Sequence, residues 1–176
     1  MTVFDRFKCC GVALCLTFAY ASLSRAAEEA QDRQAQMAAA YVFNFLKFVE
    51  WPAAVVGDTL EVCFLGAAEV RDALATSTAG KHAGNRRMVV REIGSTQALA
   101  GCHVVYVGEQ ATRISVSRAL TIGESEAFTR EGGIIRLYTE SNRLRFIVNV
   151  DNAKREGIQV SSNLLKLATQ VEGGAR

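Results

Sequence analysis

The sequence predicts an α/β fold, a three-layer α/β/α domain with a mixed β-sheet. Short apolar segments, several of them ending in glycine, alternate along the chain with segments rich in helix-forming residues. The last two apolar segments flank the polar stretch Glu140–Arg143, a pattern that predicts a β-hairpin. Alternating strands and short helices are typical of a sheet covered by helices, and the hairpin adds an antiparallel edge to that sheet.

The N-terminal residues 1–26 have the composition of a targeting signal. Arg6 and Lys8 form a short basic region, which is followed by the apolar segment 9–21. That segment is about 13 residues long, whereas a membrane-spanning helix needs about 20. We therefore expect a signal peptide over residues 1–26 and one α/β domain over residues 27–176, exported to the periplasm.

Cleavage of the signal peptide, either after Ala21 or after Ala26, changes the charge of the chain. The full chain has 20 Lys and Arg residues and 18 Asp and Glu residues. Three of the basic residues and one of the acids lie in residues 1–26, so the mature chain keeps 17 of each sign. A neutral chain without a basic cluster argues against nucleic-acid binding, which needs concentrated positive charge.

Turn residues and apolar periodicity predict the elements of the domain in chain order. The predicted strands are residues 60–66, 88–93, 103–108, 120–123, 134–138 and 144–149. The predicted helices are a long one that ends at Trp51, residues 67–75, 112–119 and 151–156, a helical turn over 124–131, and a last helix capped by Ser161 and Ser162. Residues 76–87 are predicted to form a loop.

The segment Tyr41–Pro52 contains the only Trp and the only Pro of the chain. As a helix, it places Asn44, Lys47 and Glu50 on one narrow polar stripe and apolar side chains over the rest of its circumference. Pro52 disfavours the helical conformation at the preceding Trp51, where the helix is predicted to end. Such a helix is either buried in its own core and nothing more, or it also forms a dimer or partner surface. The residues predicted for that surface are Tyr41, Phe45, Phe48 and Trp51.

Two cysteines, Cys63 and Cys102, remain after the three in the signal peptide are removed. One lies inside a predicted strand and the other at the start of another, so neighbouring strands could bring them together. In an oxidising periplasm they would form a disulfide if their Cα atoms lie within about 7 Å. The alternative is a pair of buried free thiols. Neither cysteine has a companion at metal-ligand spacing, so no metal site is predicted.

The chain carries no recognisable catalytic motif. Gly80-Lys81 matches a phosphate-binding loop only in part, because Ala75 takes the place of the first glycine and His82 that of the Ser or Thr. No Gly-x-Ser-x-Gly elbow is present, and His103 has no ligand-spaced companion. We therefore expect no cofactor and no enzymatic activity. A secreted hydrolase of unrecognised type is an alternative hypothesis.

Six polar residues fall on elements that are otherwise apolar or at the start of a helix: Asn44, Lys47, Arg145, Asn149, Ser161 and Ser162. Two interpretations are open. Buried polar groups must be hydrogen-bonded, so these residues could satisfy one another as a structural network. Alternatively, they line a small pocket that accepts anions, to which the N-terminus of the last helix contributes free amides.

Taken in order, the motifs of the chain resemble the YfiR-like family of periplasmic regulatory proteins. The matching segments are Ala39–Pro52, Leu60–Gly66, Gly80-Lys81, Cys102–Val107, Gly132-Gly133, Arg143–Asn149 and Gly157–Ala168. The resemblance covers nearly all of the mature chain and implies a structural disulfide between Cys63 and Cys102. The family's second cysteine pair has no counterpart, because residues 131–150 contain no cysteine. A redox switch that rests on that second pair is not expected.

The resemblance also implies a regulator rather than an enzyme. The family that the chain resembles includes a periplasmic repressor that holds an inner-membrane diguanylate cyclase inactive by binding its periplasmic domain. Release of the cyclase from this repressor raises cyclic-di-GMP and biofilm formation. We therefore expect a periplasmic repressor and homodimer whose partner is the periplasmic domain of a membrane-bound signalling protein, a diguanylate cyclase. The alternative is a periplasmic small-ligand sensor that acts on another membrane receptor or kinase.

Overall fold

The computed structural model describes residues 7–52, 55–109, 114 and 116–174. The helices are α1 (Phe7–Phe45), α2 (Ala68–Ser77), α3 (Val150–Arg155) and α4 (Ser162–Leu165), with a 3-10 helix at Thr96–Ala98. The strands are β1 (Val49–Glu50), β2 (Thr59–Leu65), β3 (His82–Ala83), β4 (Arg86–Glu92), β5 (Val104–Val107), β6 (Leu120–Gly123), β7 (Ile135–Glu140), β8 (Arg143–Asn149), β9 (Gln159–Val160) and β10 (Gln170–Glu172).

The chain divides into two units, residues 1–35 and residues 36–176. The described part of the first unit is helical and belongs to α1. Among the described residues, no helix combines the length and the apolar character needed to cross a membrane. The signal peptide over residues 1–26 and its cleavage site stay predictions. The second unit contains both sheets and the other three helices.

Eight strands form one mixed sheet in the order β10-β8-β7-β6-β5-β2-β4-β3. The neighbours β4, β2, β5, β6 and β7 run parallel, whereas β3 and β8 are antiparallel to β4 and β7. Strand β10 pairs with β8 in parallel and forms one edge of the sheet. A second, two-stranded sheet pairs β1 with β9. The predicted α/β fold with a mixed sheet is confirmed.

The hairpin of β7 and β8 is the element that the sequence predicts best. Its two turn residues, Ser141 and Asn142, have φ angles of 49° and 60°. Positive φ at both central positions is the geometry of the type I′ turn, whose twist matches that of the flanking strands. Register then places Tyr138 opposite Arg145 and Leu137 opposite Phe146, so the buried and the half-buried side chains separate cleanly onto the two faces.

One surface of the sheet, which we call the helix face, receives the end of α1. It is formed by buried side chains that follow one another across the paired strands: Phe64, Tyr106, Ile122, Ile135 and Phe146. The rings of Tyr41 and Phe45 lie 6.1 and 5.0 Å from the ring of Phe146. This aromatic cluster fixes the C-terminal end of α1 on the hairpin, because edge-to-face and tilted aromatic pairs add to the free energy of apolar burial.

The opposite surface, the disulfide face, is covered by short non-helical segments. Its apolar cluster consists of Cys63, Ile93, Leu99, Cys102, Val105, Val107, Ala119 and Phe128. The Phe128 ring lies so close to Gly123 and Gly133 that a Cβ at either position would overlap it. The turn that follows β6 can therefore pack directly on the sheet only because these two positions are glycine.

The predicted long helix ends earlier than expected. Helix α1 stops at Phe45, not at Trp51, and residues 46–48 form a tighter turn in which Lys47 N donates to Asn44 O and Phe48 N to Phe45 O, each at 3.0 Å. Val49 then pairs with Val160 in the small sheet. Proline at position 52 permits this ending but does not determine it, since a strand partner more than a hundred residues away competes with the helix.

The predicted helix over residues 112–119 lies partly outside the described residues. Of that segment, residues 114 and 116–119 are described, and they are not helical. The short strands β1, β3, β9 and β10 escape prediction because two or three residues are too few to show an alternating pattern. The other predicted strands and the helices α2, α3 and α4 are confirmed within a few residues of their predicted bounds.

A disulfide joins Cys63 of β2 to Cys102, which directly precedes β5. The two Cα atoms lie 5.9 Å apart, and 39 positions separate the residues along the chain. Arg91 Nη2 donates to Cys102 Sγ at 3.3 Å and to Ala100 O at 3.2 Å, so a guanidinium also holds the loop before β5 in place. The predicted pairing of the two cysteines is confirmed, and the alternative of two free thiols is excluded in this structure.

We expect the disulfide to contribute about 3–4 kcal/mol to the free energy of unfolding, because it removes the loop-closure entropy of the chain between Cys63 and Cys102. Urea unfolding of the oxidised protein, the reduced protein and a Cys63→Ala/Cys102→Ala variant measures this. Both forms without the link should unfold at clearly lower urea concentration. Coincident unfolding curves for the oxidised and reduced protein would contradict the expectation.

Candidate functional site

The aromatic residues predicted for a partner surface are for the most part buried in their own chain. Phe45 is 1% exposed and Trp51 is 7% exposed. The Tyr41 hydroxyl donates to Leu144 O at 3.2 Å, and the Trp51 Nε1–H donates to His103 O at 3.1 Å. Phe48 is half-buried and so presents part of its ring to solvent. Of the four predicted residues, Phe45 and Trp51 therefore pack in the core, whereas Phe48 retains accessible surface.

The polar stripe of the same segment lies at the surface. Lys47 Nζ donates to Asn44 Oδ1 at 3.2 Å and lies 4.4 Å from the centroid of the Phe43 ring. Both Asn44 and Lys47 are exposed. Asn44 and Lys47 therefore form an exposed pair, rather than part of the buried network that the first interpretation of these residues describes.

The other predicted pocket residues lie elsewhere. Arg145 alternates with the buried Phe146 and therefore projects from the face of β8 opposite to α1, where its Nε lies 2.8 Å from Glu140 Oε2. Asn149 caps α3 by accepting from Asn152 N at 3.0 Å. Asn44 and Lys47 on the α1 side are thus separated from Arg145 and Asn149 by the sheet itself.

Ser161 and Ser162 form a third, separate location. Ser161 Oγ accepts from Leu164 N at 3.3 Å and so caps α4, as predicted, while Ser162 is exposed. The six residues predicted for one pocket are therefore not brought together. The alternation of side chains along β8 places Arg145 and Asn149 on the far side of the sheet from the helix, and ligand binding by any of these residues stays a prediction.

A small apolar cavity lies at the C-terminal end of the domain. Its volume is about 360 Å³. The lining residues come from α3, β9, α4 and the connections between them: Val150, Ala153, Lys154, Ile158, Gln159, Val160 and Leu165. Lys154 is the one charged residue of this lining. Sequence reasoning missed this cavity because its wall is made of aliphatic side chains from segments that pair only through tertiary contacts.

The two histidines do not form a reactive site. His103 Nδ1 accepts from Glu61 N at 2.9 Å, and Nε2 donates to Val55 O at 3.1 Å, so both ring nitrogens are used in holding backbone. His82 is exposed in β3. Among the described residues, no group of three or more His, Cys, Asp or Glu side chains is arranged to hold a metal ion. His103 is a structural histidine, as its position at the start of a strand indicates.

The buried hydroxyl of Tyr106 and the carboxylate of Glu124 form a polar pair within the sheet. The Tyr106 hydroxyl donates to Glu124 Oε1 at 2.6 Å, and Glu109 N donates to Glu124 Oε2 at 3.1 Å. Burial raises the pKa of Tyr106 strongly, and the charge of Glu124 and the hydrogen bond to it raise that pKa further. The phenol therefore acts as a hydrogen-bond donor that locks the loops after β5 and β6 together.

Sequence reasoning also missed the arrangement of Arg136, Tyr138 and Arg145 on the hairpin. Arg136 and Tyr138 share a face of β7, with the guanidinium carbon of Arg136 4.6 Å from the centroid of the Tyr138 ring, and Tyr138 is paired with Arg145. The alternation of the two predicted strands contained this information. It could have been extracted once the two-residue turn fixed the register.

A model of the YfiR/HmsC-like family matches residues 35–169 of the chain. No curated protein matches the chain significantly. Among solved structures, the chain resembles a conserved domain protein from Vibrio cholerae O1 biovar El Tor N16961, with a TM-score of 0.52 and 14% identity over 78% of this chain and 60% of that one. It also resembles the ABC domain in complex with L-Trp from Streptococcus pneumoniae, with a TM-score of 0.46 and 11% identity over 73% of this chain and 60% of that one. The first likeness shows the fold alone, and the chain spans three fifths of the length of both proteins.

We expect the Tyr106→Phe variant to lose part of the pH dependence of stability in alkaline solution. In the unfolded chain Tyr106 releases its proton near pH 10, whereas its raised pKa keeps the proton bound in the folded protein. Above about pH 10 the folded wild-type protein thus binds one proton more than the unfolded chain does. As the pH rises further, this group lowers the free energy of unfolding by up to about 1.4 kcal/mol per pH unit. Urea unfolding from pH 8 to 11 should show the shallower slope for the variant, and parallel slopes would contradict the assignment.

Proposed function

The chain belongs to the YfiR/HmsC-like family, and we propose that it is a non-enzymatic periplasmic regulator that represses an inner-membrane diguanylate cyclase. In this proposal the protein binds the periplasmic domain of the cyclase and so limits cyclic-di-GMP production and biofilm formation. The family match over residues 35–169 is the observation that carries the proposal. It spans the sheet from the end of α1 to the connection before β10.

The disulfide supports the periplasmic location. A disulfide between central strands persists in an oxidising compartment and is rare in the cytosol, where thiols are kept reduced. Cys63 is fully buried and Cys102 is 6% exposed, so the bond has a structural place in the core. Export of the chain by the signal peptide of residues 1–26 is part of the same proposal.

The partner and dimer surfaces are proposed for accessible residues only. Because Phe45 and Trp51 are buried, a partner that contacts this region would meet Phe48 and the exposed side of Tyr41, next to Lys47. A half-buried aromatic ring beside a lysine is suited to a protein interface, since aromatic anchors contribute most of the binding free energy there. A homodimer through the same region is the corresponding proposal for self-association.

We expect deletion of the gene to raise cellular cyclic-di-GMP, because the cyclase loses its repressor. A plasmid copy of the full chain should restore the wild-type level, whereas a copy that lacks residues 1–26 should not, since it stays in the cytoplasm. Cyclic-di-GMP is measured by mass spectrometry of cell extracts. A matched point variant in the same assay is Phe48→Glu, with Met37→Glu as the control for added charge at an exposed position of α1.

An unchanged cyclic-di-GMP level in the deletion strain would contradict repression of a cyclase. Restoration by the copy without residues 1–26 would contradict the periplasmic site of action. Loss of repression in Phe48→Glu but not in Met37→Glu, at equal protein level, would support the contact region. Normal repression by a folded Phe48→Glu protein would place the contact elsewhere on the domain.

The cavity favours a second candidate function, a small-ligand sensor that acts on another membrane receptor or kinase. The cavity has a volume of about 360 Å³, a mainly aliphatic wall and Lys154 as the one charged residue of its lining. Such a site is suited to a small apolar molecule that carries an anionic group. Ligand occupancy would then alter the surface made by α3, β9 and α4. This candidate is compatible with the first, because a repressor can also be gated by a ligand.

We expect octanoate, used as a probe, to raise the melting temperature of the protein more than octanol does, because Lys154 pairs with the carboxylate. A ligand at one hundred times its Kd stabilises by about 2.7 kcal/mol. Lys154→Ala should abolish the difference between the two probes, and Lys81→Ala, an exposed lysine outside the cavity, should keep it. Equal shifts for octanoate and octanol in the wild-type protein would contradict an anion-selective cavity.

A further inference from the structure

One face of the hairpin lies on the side of the sheet opposite to the end of α1. Leu137 and Phe146 point to the helix face and are buried, so the residues that alternate with them project from the other side. We call this surface the hairpin face and define it by four half-buried side chains: Arg136, Tyr138, Arg145 and Ile147. Tyr138 lies opposite Arg145, and Arg136 lies opposite Ile147, so the four side chains form a compact patch across two strands.

Arg136 has no charged partner on this face. Its guanidinium carbon lies 4.6 Å from the centroid of the Tyr138 ring, which holds the side chain flat against the sheet. The Nε atom is buried and has no hydrogen-bond acceptor among the described residues. None of the five ion pairs formed by described residues includes Arg136. The buried Nε lies out of reach of a partner, so an external carboxylate would meet the terminal amino groups of this preorganised, half-buried guanidinium.

Arg145 is only weakly neutralised. Its Nε lies 2.8 Å from Glu140 Oε2 but makes no hydrogen bond there, and the Glu140 side chain is 56% exposed. An ion pair with such an exposed partner contributes little and is easily replaced. Arg143, on the same side of β8, is exposed. Residues 135–149 thus contain three arginines against one glutamate, a net charge of plus two on one hairpin.

The shape and composition of the hairpin face favour a protein over a small molecule. The four side chains lie across two strands of a sheet, whereas small-molecule ligands are held in concave sites. Arg and Tyr are among the residue types enriched in the hot spots of protein interfaces. The net positive charge of the hairpin favours a negatively charged partner surface, because bringing like charges together costs free energy.

We propose that the hairpin face is the docking surface for a carboxylate-rich segment of the partner protein, with Arg136 and Arg145 each paired to an acidic side chain. The inference rests on the proposed repressor function and specifies the chemistry of the partner surface. Phe48 lies in the segment after α1, so a variant at that position tests a different part of the chain. The partner's periplasmic domain then presents Asp or Glu side chains against Tyr138.

The test uses the deletion strain and full-length chain with the double substitution Arg136→Glu/Arg145→Glu. We expect this variant to leave cyclic-di-GMP at the level of the empty plasmid, because two attractive pairs become repulsive. The control is Arg87→Glu, which makes the same kind of charge change at an exposed arginine of β4. It should restore the wild-type level. Periplasmic abundance and melting temperature are measured for each protein.

A second variant, Arg136→Gln/Arg145→Gln, decides the question if the charge reversal prevents folding. It removes both charges and keeps a polar side chain, and we expect at least a tenfold weaker effect on cyclic-di-GMP per molecule of periplasmic protein. Full repression by a folded double variant would overturn the docking surface and leave the proposed repressor function intact. Failure of the wild-type chain to lower cyclic-di-GMP would overturn both. An equal loss of repression in the Arg87→Glu variant would show a general effect of charge and would also overturn the docking surface.

Discussion

The chain at Cys102 and His103, where it enters strand β5, holds together parts of the domain that are far apart in sequence. Cys102 is bonded to Cys63, and His103 follows it with every polar group engaged. The His103 ring bridges Glu61 and Val55, and its carbonyl accepts from Trp51 and from Leu120. The covalent bond on one side of the backbone and these hydrogen bonds on the other fix β2 beside β5.

That fixed pair determines the positions of the segments beyond it. Trp51 reaches His103 only if the chain leaves α1 early, so the turn at residues 46–48 and the short strand β1 follow from the same contact. The end of α1 is then placed over Phe146, where Tyr41 and Phe45 complete the aromatic cluster. A helix that continued to Trp51 would separate these contacts, and the aromatic burial together with two hydrogen bonds outweighs one additional helical turn.

The same geometry separates the surfaces available for recognition. The α1 side of the hairpin is buried against the helix, while the other side carries an excess of arginine around one tyrosine. The cavity near α3 and α4 lies at the far end of β8, past its pairing with β10. Recognition by this domain would use such surfaces, because most of the buried side chains among the described residues are apolar.

The sequence by itself determined the six longer strands of the main sheet, the hairpin and the candidate cysteine pair, whereas the strands of two or three residues escaped prediction. Each of these depends on a local signal, such as the alternation along Leu144–Asn149 or the polar stretch Glu140–Arg143 between two apolar segments, and the even count of cysteines needed only adjacent strands. The tertiary structure alone decided where α1 ends, which aromatic rings are buried and that Asn44 and Arg145 lie on opposite sides of the sheet. The periodicity of a segment indicates its secondary structure but not its neighbours. The burial of Phe45 and the separation of Asn44 from Arg145 depend on which distant strand packs against each segment and in which register.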